Sequence, residues 1–168
     1  MSGEPISQEE LDTLFEAARW APSAGNQQPW RMLYAHRDTS SWPLFYDALN
    51  PGNQTWCLNA AVLVLFISRT ANHEGRPIKT HSYDTGAAWA SFALQGTIQG
   101  LVVHGMQGFN YEQARAVLQV PQEFALEAMA AVGRPGRMED LSESLQAREI
   151  PSTRRPLAET IVEGIFTS

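Results

Sequence analysis

Eight consecutive residues, Ala61-Val62-Leu63-Val64-Leu65-Phe66-Ile67-Ser68, constrain this chain more than any other feature. Seven of the eight are apolar, with no alternation of polar and apolar positions. A strand with one wet face alternates; an unbroken run is expected when both faces are covered. The longest apolar run, Ala60 to Ile67, falls far short of the roughly 20 residues a membrane span needs. The segment is therefore expected to be a buried strand.

The rest of the chain supplies its cover. Ser7-Gln8-Glu9-Glu10 has the pattern of a capping box, and Leu11, Leu14, Phe15 and Ala18 follow at helical spacing until Pro22. Arg31 to His36 reads as a strand, and a short helix fits around Pro43 to Leu49. Thr70 to Ile78 is polar, contains Gly75 and Pro77, and reads as a loop. A long helix is expected from Tyr83 to Gly100, with Ala87, Ala90, Ser91, Leu94 and Ile98 in register; it is apolar on most sides, which suits a central, buried helix. Gly100 suits its C-terminal cap. Leu101 to His104 reads as a strand, Tyr111 to Leu118 as a helix capped by Asn110, and Ala125 to Val132 as a strand. Met138 to Gln146 is polar. Pro156 stands where a first helical position would be, ahead of Leu157, Ile161, Val162 and Ile165. About four strands and five helices in 168 residues make one α+β domain spanning residues 1–168.

Hydrophobic residues make up 43% of the chain, enough for a packed core. The net charge of −6 disfavours nucleic acid as a partner, because phosphate backbones are repelled. One cysteine, Cys57, allows no internal disulfide and no cysteine-based metal cluster, which suits a reducing cytoplasm. The start, Met1-Ser2-Gly3-Glu4-Pro5, lacks the basic and apolar regions of a signal peptide, so a cytoplasmic location without a membrane anchor is expected.

The hydrolytic and metal motifs are missing. No G-x-S-x-G elbow surrounds any serine, and there is no H-E-x-x-H or C-x-x-C. The histidines His36, His73, His81 and His104 are scattered, and Asp84 reads as a charge on a helix N-terminus. No P-loop and no G-x-G-x-x-G after a strand is present. What remains is the loop Ala21-Pro22-Ser23-Ala24-Gly25-Asn26-Gln27-Gln28-Pro29-Trp30. Its small residues let a ligand approach the backbone, and Ser23, Asn26 and Gln28 offer groups that do not change charge with pH. Such a loop suits a flat, uncharged, hydrogen-bonding ring. Asn53, in the stretch Asn50 to Trp56 ahead of the Ala61 strand, the segment Gly105-Met106-Gln107-Gly108-Phe109, and Thr153-Arg154-Arg155-Pro156-Leu157 complete the candidates. Singly each has a structural explanation, Asn53 as a turn residue and the glycines as tight backbone.

In order along the chain these segments, with Tyr83-Asp84-Thr85-Gly86-Ala87-Ala88, resemble the nitroreductase family over nearly the whole sequence. The resemblance implies a mostly antiparallel central sheet flanked by helices, and a homodimer that binds flavin mononucleotide (FMN). It implies that Pro22, Ser23, Ala24 and Asn26 touch FMN held mainly by the other subunit. Asn53, Gly105, Met106, Gln107 and Gly108 would contact the ring from the same subunit, and Arg154 would hold the phosphate. Hydride would pass from NAD(P)H to the flavin N5 and on to a small-molecule acceptor such as a nitroaromatic or a quinone, with no catalytic side chain and no metal. The family's usual Arg-x-Ser-x-Arg-x-Phe segment before the first helix has no counterpart in Met1 to Ile6, and Ser152 stands in for one C-terminal base. The sequence therefore reads as an N-terminally short member. Three readings stay open: it binds FMN with fewer phosphate anchors, it is a flavin-free or weakly binding dimer with a binding or scaffold role, or the true start lies upstream and the chain is a short version of an ordinary enzyme.

Overall fold

The structure, a computed structural model, describes residues 1–166. It divides into two compact units, Met1–Gly136 and Arg137–Ser168.

In the first unit, helix α1 (Gln8–Arg19) starts as its sequence dictates. The Ser7 hydroxyl accepts from the Glu10 N–H, and the Glu10 carboxylate accepts from the Ser7 N–H. Strand β1 (Trp30–His36), short helices α2 (Trp42–Tyr46) and α3 (Pro51–Cys57), and strand β2 (Val62–Arg69) follow. Helix α4 (His81–Ile98), strand β3 (Val102–Met106), helix α5 (Tyr111–Val117) and strand β4 (Phe124–Gly133) complete the unit. The four strands form one sheet in the order β1-β2-β4-β3, antiparallel throughout.

The apolar run becomes the central strand β2, and its alternate side chains build two cores. Val62, Val64 and Phe66 face one layer, with Leu11, Leu14 and Ala18 of α1 and Ala88 and Phe92 of α4. Leu63, Leu65 and Ile67 face the other, with Phe45, Leu49, Cys57 and Ala114 from the region of α2, α3 and α5. Coverage on both faces is what the missing alternation required. Between Phe66 and Ile67 the β2–β4 register slips by one residue, which makes Glu127 the extra residue of a bulge.

Pro51 opens α3, with its fixed φ suited to a first helical position, and Asn53 lies in that helix rather than in a turn. Two expectations need correction. Helix α4 is buried on one side only; in the single chain Tyr83, Leu94 and Ile98 are 81%, 65% and 78% exposed. In the second unit, the helix expected after Pro156 is only a 3-10 turn, Leu157–Glu159. Leu157, Ile161, Val162 and Ile165 are exposed there, and without burial a short helix gains too little to form. The polar stretch before it carries a 3-10 turn at Met138–Asp140 and helix α6 (Glu143–Gln146).

Candidate functional site

The strand registers gather the candidate segments at one end of the sheet. Trp30 at the start of β1 pairs with Ser68 at the end of β2, Ser68 pairs with Ala125 near the start of β4, and Met106 at the end of β3 pairs with Met129. The loop before β1 and the segment after β3 thus share an end but lie on opposite edges. Three strand spacings, about 14 Å, separate those edges.

On the β1 edge, Pro22, Ala24, Gly25 and Asn26 are exposed and Ser23 is half-buried. The loop is held from within and from α4. Ser23 Oγ accepts from the Gln28 N–H at 3.0 Å, and the Ser23 carbonyl accepts from the Asn26 N–H at 3.0 Å. Asn26 and Gln28 adopt φ of 54° and 45°. Non-glycine residues occupy that region rarely, and such strain collects at binding sites. Asp84, only 3% exposed, accepts from the Ala24 N–H at 3.2 Å and from Thr80 Oγ1 at 3.0 Å. It lies in the first turn of α4, where its charge complements the helix dipole as expected, and it also ties that helix to the loop.

On the β3 edge, the Gly108 carbonyl accepts from the Asn50 N–H and from Asn53 Nδ2, both at 2.9 Å. Asn53 Oδ1 accepts from Trp56 Nε1 at 3.2 Å. The glycines are required by close approach. A Cβ at Gly108 would stand 2.6 Å from Asn53 Nδ2, and one at Gly105 would stand 2.3 Å from Trp89 Cζ2. Met106 turns its side chain into the core, with its sulfur 3.9 Å from Cys57 Sγ. Gln107 is exposed. Neither the Gln107 carboxamide nor the Gly108 N–H has a hydrogen-bond partner among the described residues. Phe109 is buried and stacks on Tyr111, whereas Trp56 lies against His104 with ring centroids 4.5 Å apart.

Arg154 belongs to the second unit and is exposed; its Nη1 donates to Ser152 Oγ at 2.8 Å and to the Ser152 and Thr153 carbonyls. So the structure brings together Asn53, Gly105, Met106, Gln107 and Gly108, and separately Ser23, Ala24 and Asn26 with Asp84.

One cluster escaped the sequence. Ser68 Oγ contacts His81 Nδ1 at 2.7 Å and donates to Glu127 Oε1, while Ser82 Oγ donates to Glu127 at 2.8 Å. The bulge in β4 aims Glu127 at this group, and no local sequence signal marks a bulge of this kind. Ser68 is fully buried, so its hydroxyl is not set to attack a substrate. No group of three His, Cys, Asp or Glu side chains that could hold a metal occurs among the described residues.

The sequence and the fold match known proteins. Residues 2–50 match the model of the nitroreductase family. A solved structure described as an oxidoreductase containing FMN is 46% identical; the match covers 99% of this chain and 86% of that one, with a TM-score of 0.94. A provisionally named nitroreductase from Desulfovibrio desulfuricans, solved in complex with FMN, is 25% identical, with coverages of 98% and 88% and a TM-score of 0.73. A protein of Archaeoglobus fulgidus, provisionally named an NADH dehydrogenase/NAD(P)H nitroreductase, is 24% identical over 147 residues, which is 85% of this chain and 82% of that protein. The chain belongs to the nitroreductase family.

Proposed function

We propose that this chain is an FMN-dependent oxidoreductase that passes hydride from NAD(P)H through the flavin to nitroaromatic, quinone or similar acceptors. The observation that carries the reading is the donor set on the β3 edge, where an unpartnered Gly108 N–H and the free Gln107 carboxamide stand beside Asn53. Two neutral donors next to bare glycine backbone fit the carbonyl and nitrogen edge of a flat ring, and a charged site would not. FMN, when bound, supplies the two-electron redox chemistry.

The protein's part is holding and shielding. Gln107 and Gly108 donate to the ring edge; Asn53 fixes Gly108 through its carbonyl; Gly105 and Met106 contribute backbone, since the Met106 side chain faces the core. Arg154 is the phosphate base of this reading. Pro22, Ser23, Ala24 and Asn26 serve the site of a second copy. Two features support a homodimer: the loop and the glycine segment lie on opposite edges of the sheet, and α4 exposes Tyr83, Leu94 and Ile98. Pairing would bury that stripe and set one chain's loop against the other's glycine segment. No helix among the described residues is long and apolar enough to cross a membrane.

A second reading, a dimer that binds flavin weakly or not at all, draws on Asn53 and Trp89. Both ends of the Asn53 carboxamide are engaged within the protein, and Trp89 fills the space above Gly105. A visible spectrum of the purified chain, with and without added FMN, separates the two. Flavin bands that bleach under NADH or NADPH support the enzyme. A colourless protein that takes up no FMN at high micromolar concentration sinks it and leaves the second reading.

A further inference from the structure

Beside the exposed loop, on the β1–β2 edge, a cavity of about 130 Å³ is lined by Gln27, Gln28, Arg31, Arg69, Asn72 and His73, among others. The strand register places its two arginines. Arg31 pairs with Ile67, so Arg69, two residues on, projects from the same face as its diagonal neighbour. Like charges in that relation repel, and each normally has a carboxylate to offset it. Here neither guanidinium forms an ion pair among the described residues. Glu74, in the loop that contributes Asn72 and His73, is taken by Arg76.

The pair is also held in place. Arg31 Nη1 donates to the Gln28 and Trp30 carbonyls at 3.2 and 2.6 Å, which pins the guanidinium back along the loop. Arg69 lies over the Phe124 ring, 5.9 Å from its centroid, and its own N–H donates to the Pro29 carbonyl at 2.8 Å. Asn72 Oδ1 accepts from the Glu74 and Arg76 N–H groups at 3.0 and 2.9 Å, so its Nδ2 is left as a donor. Two guanidiniums without a counter-charge, beside amide donors, form an anion site on a chain whose net charge is −6.

We propose that the Arg31–Arg69 cavity binds a phosphate dianion, either free or carried as a monoester on a small ligand. A dianion neutralises both charges, and a space of about 130 Å³ admits a tetrahedral oxyanion. The proposal does not depend on the flavin reading, because phosphate binding is read directly.

Inorganic phosphate is titrated against the purified full chain by calorimetry, about two pH units above the second phosphate pKa, to about 10 mM. Wild type binds. Arg69→Gln and Arg31→Gln bind about tenfold more weakly or worse, Arg69→Lys binds in between, and Arg148→Gln, an exposed arginine of the second unit, binds as wild type. Circular dichroism confirms that each variant is folded; should Arg31→Gln unfold through loss of its carbonyl contacts, the Arg69 pair decides. No binding by wild type, equal binding by the Arg69 variants, or an equal loss in Arg148→Gln overturns the site. The source of the phosphate follows from two comparisons in wild type and Arg69→Gln. A selective loss for NADPH over NADH assigns a dinucleotide phosphate, a selective loss for FMN over riboflavin assigns the flavin phosphate, and neither loss assigns the free ion.

Discussion

A methyl group at Gly105 would press on the Trp89 indole at 2.3 Å, well inside any allowed carbon contact. Gly105→Ala must displace the ring and is expected to cost about 1–3 kcal/mol by overpacking, read as a lower urea midpoint with an unchanged m-value. Asp84 is the other residue whose loss travels. Asp84→Ala strands the Ala24 N–H and Thr80 Oγ1, costing about 1–3 kcal/mol and loosening the loop, which amide exchange at Ala24 would report. Cys57 gives a pH signature. Burial pushes its thiol up to about 12, while an unfolded thiol ionises near about 8.5. Above about pH 8.5 the unfolded chain has released this proton and the folded chain has kept it. Stability is therefore full below that pH and falls as pH rises towards 12, by up to about 1.4 kcal/mol per unit. Cys57→Ala should lack that slope, and in the native protein Cys57 should resist thiol reagents at neutral pH.

Helix α1 shows what local sequence can announce. Its reciprocal cap lies within four residues, and Ser7→Ala should cost about 0.5–2 kcal/mol in chemical denaturation. The uniform apolar run announced a two-faced strand for the same reason: the signal lies within the segment itself. Helix α3 was not legible, because Asn50-Pro51-Gly52-Asn53 has turn chemistry, and what supports it is a distant carbonyl, Gly108, reached from Asn50 and Asn53. The reverse held after Pro156, where helical spacing was present and Leu157, Ile161, Val162 and Ile165 are exposed. At the candidate site, Asn53, Gly105 and Gly108 could be picked out by type and order. The Asp84–Ala24 tie could not, since it depends on how α4 packs beside the loop, and the Glu127 bulge could not, since it depends on how strands align. So does the nearness of Arg31 and Arg69, which the β1–β2 register sets.

For the molecule as a whole, the exposed stripe of α4 is the feature with the largest consequence for assembly. On the proposed homodimer, Leu94→Glu with Ile98→Glu puts charge where the second copy would seat, and sedimentation would shift from dimer to monomer. On the two-subunit reading, FMN uptake would fall with it although neither residue belongs to the flavin-holding set. The sheet order carries a different consequence, for the growing chain on the ribosome. Arg69 pairs with Phe124 and Val62 with Val132, so every rung between the two middle strands closes a loop of 55 to 70 residues. Such closures are slow and wait for the later partner to be made. Until β4 emerges, the most apolar strand of the protein has β1 on one side and an open edge on the other, where a nascent chain invites aggregation or a chaperone.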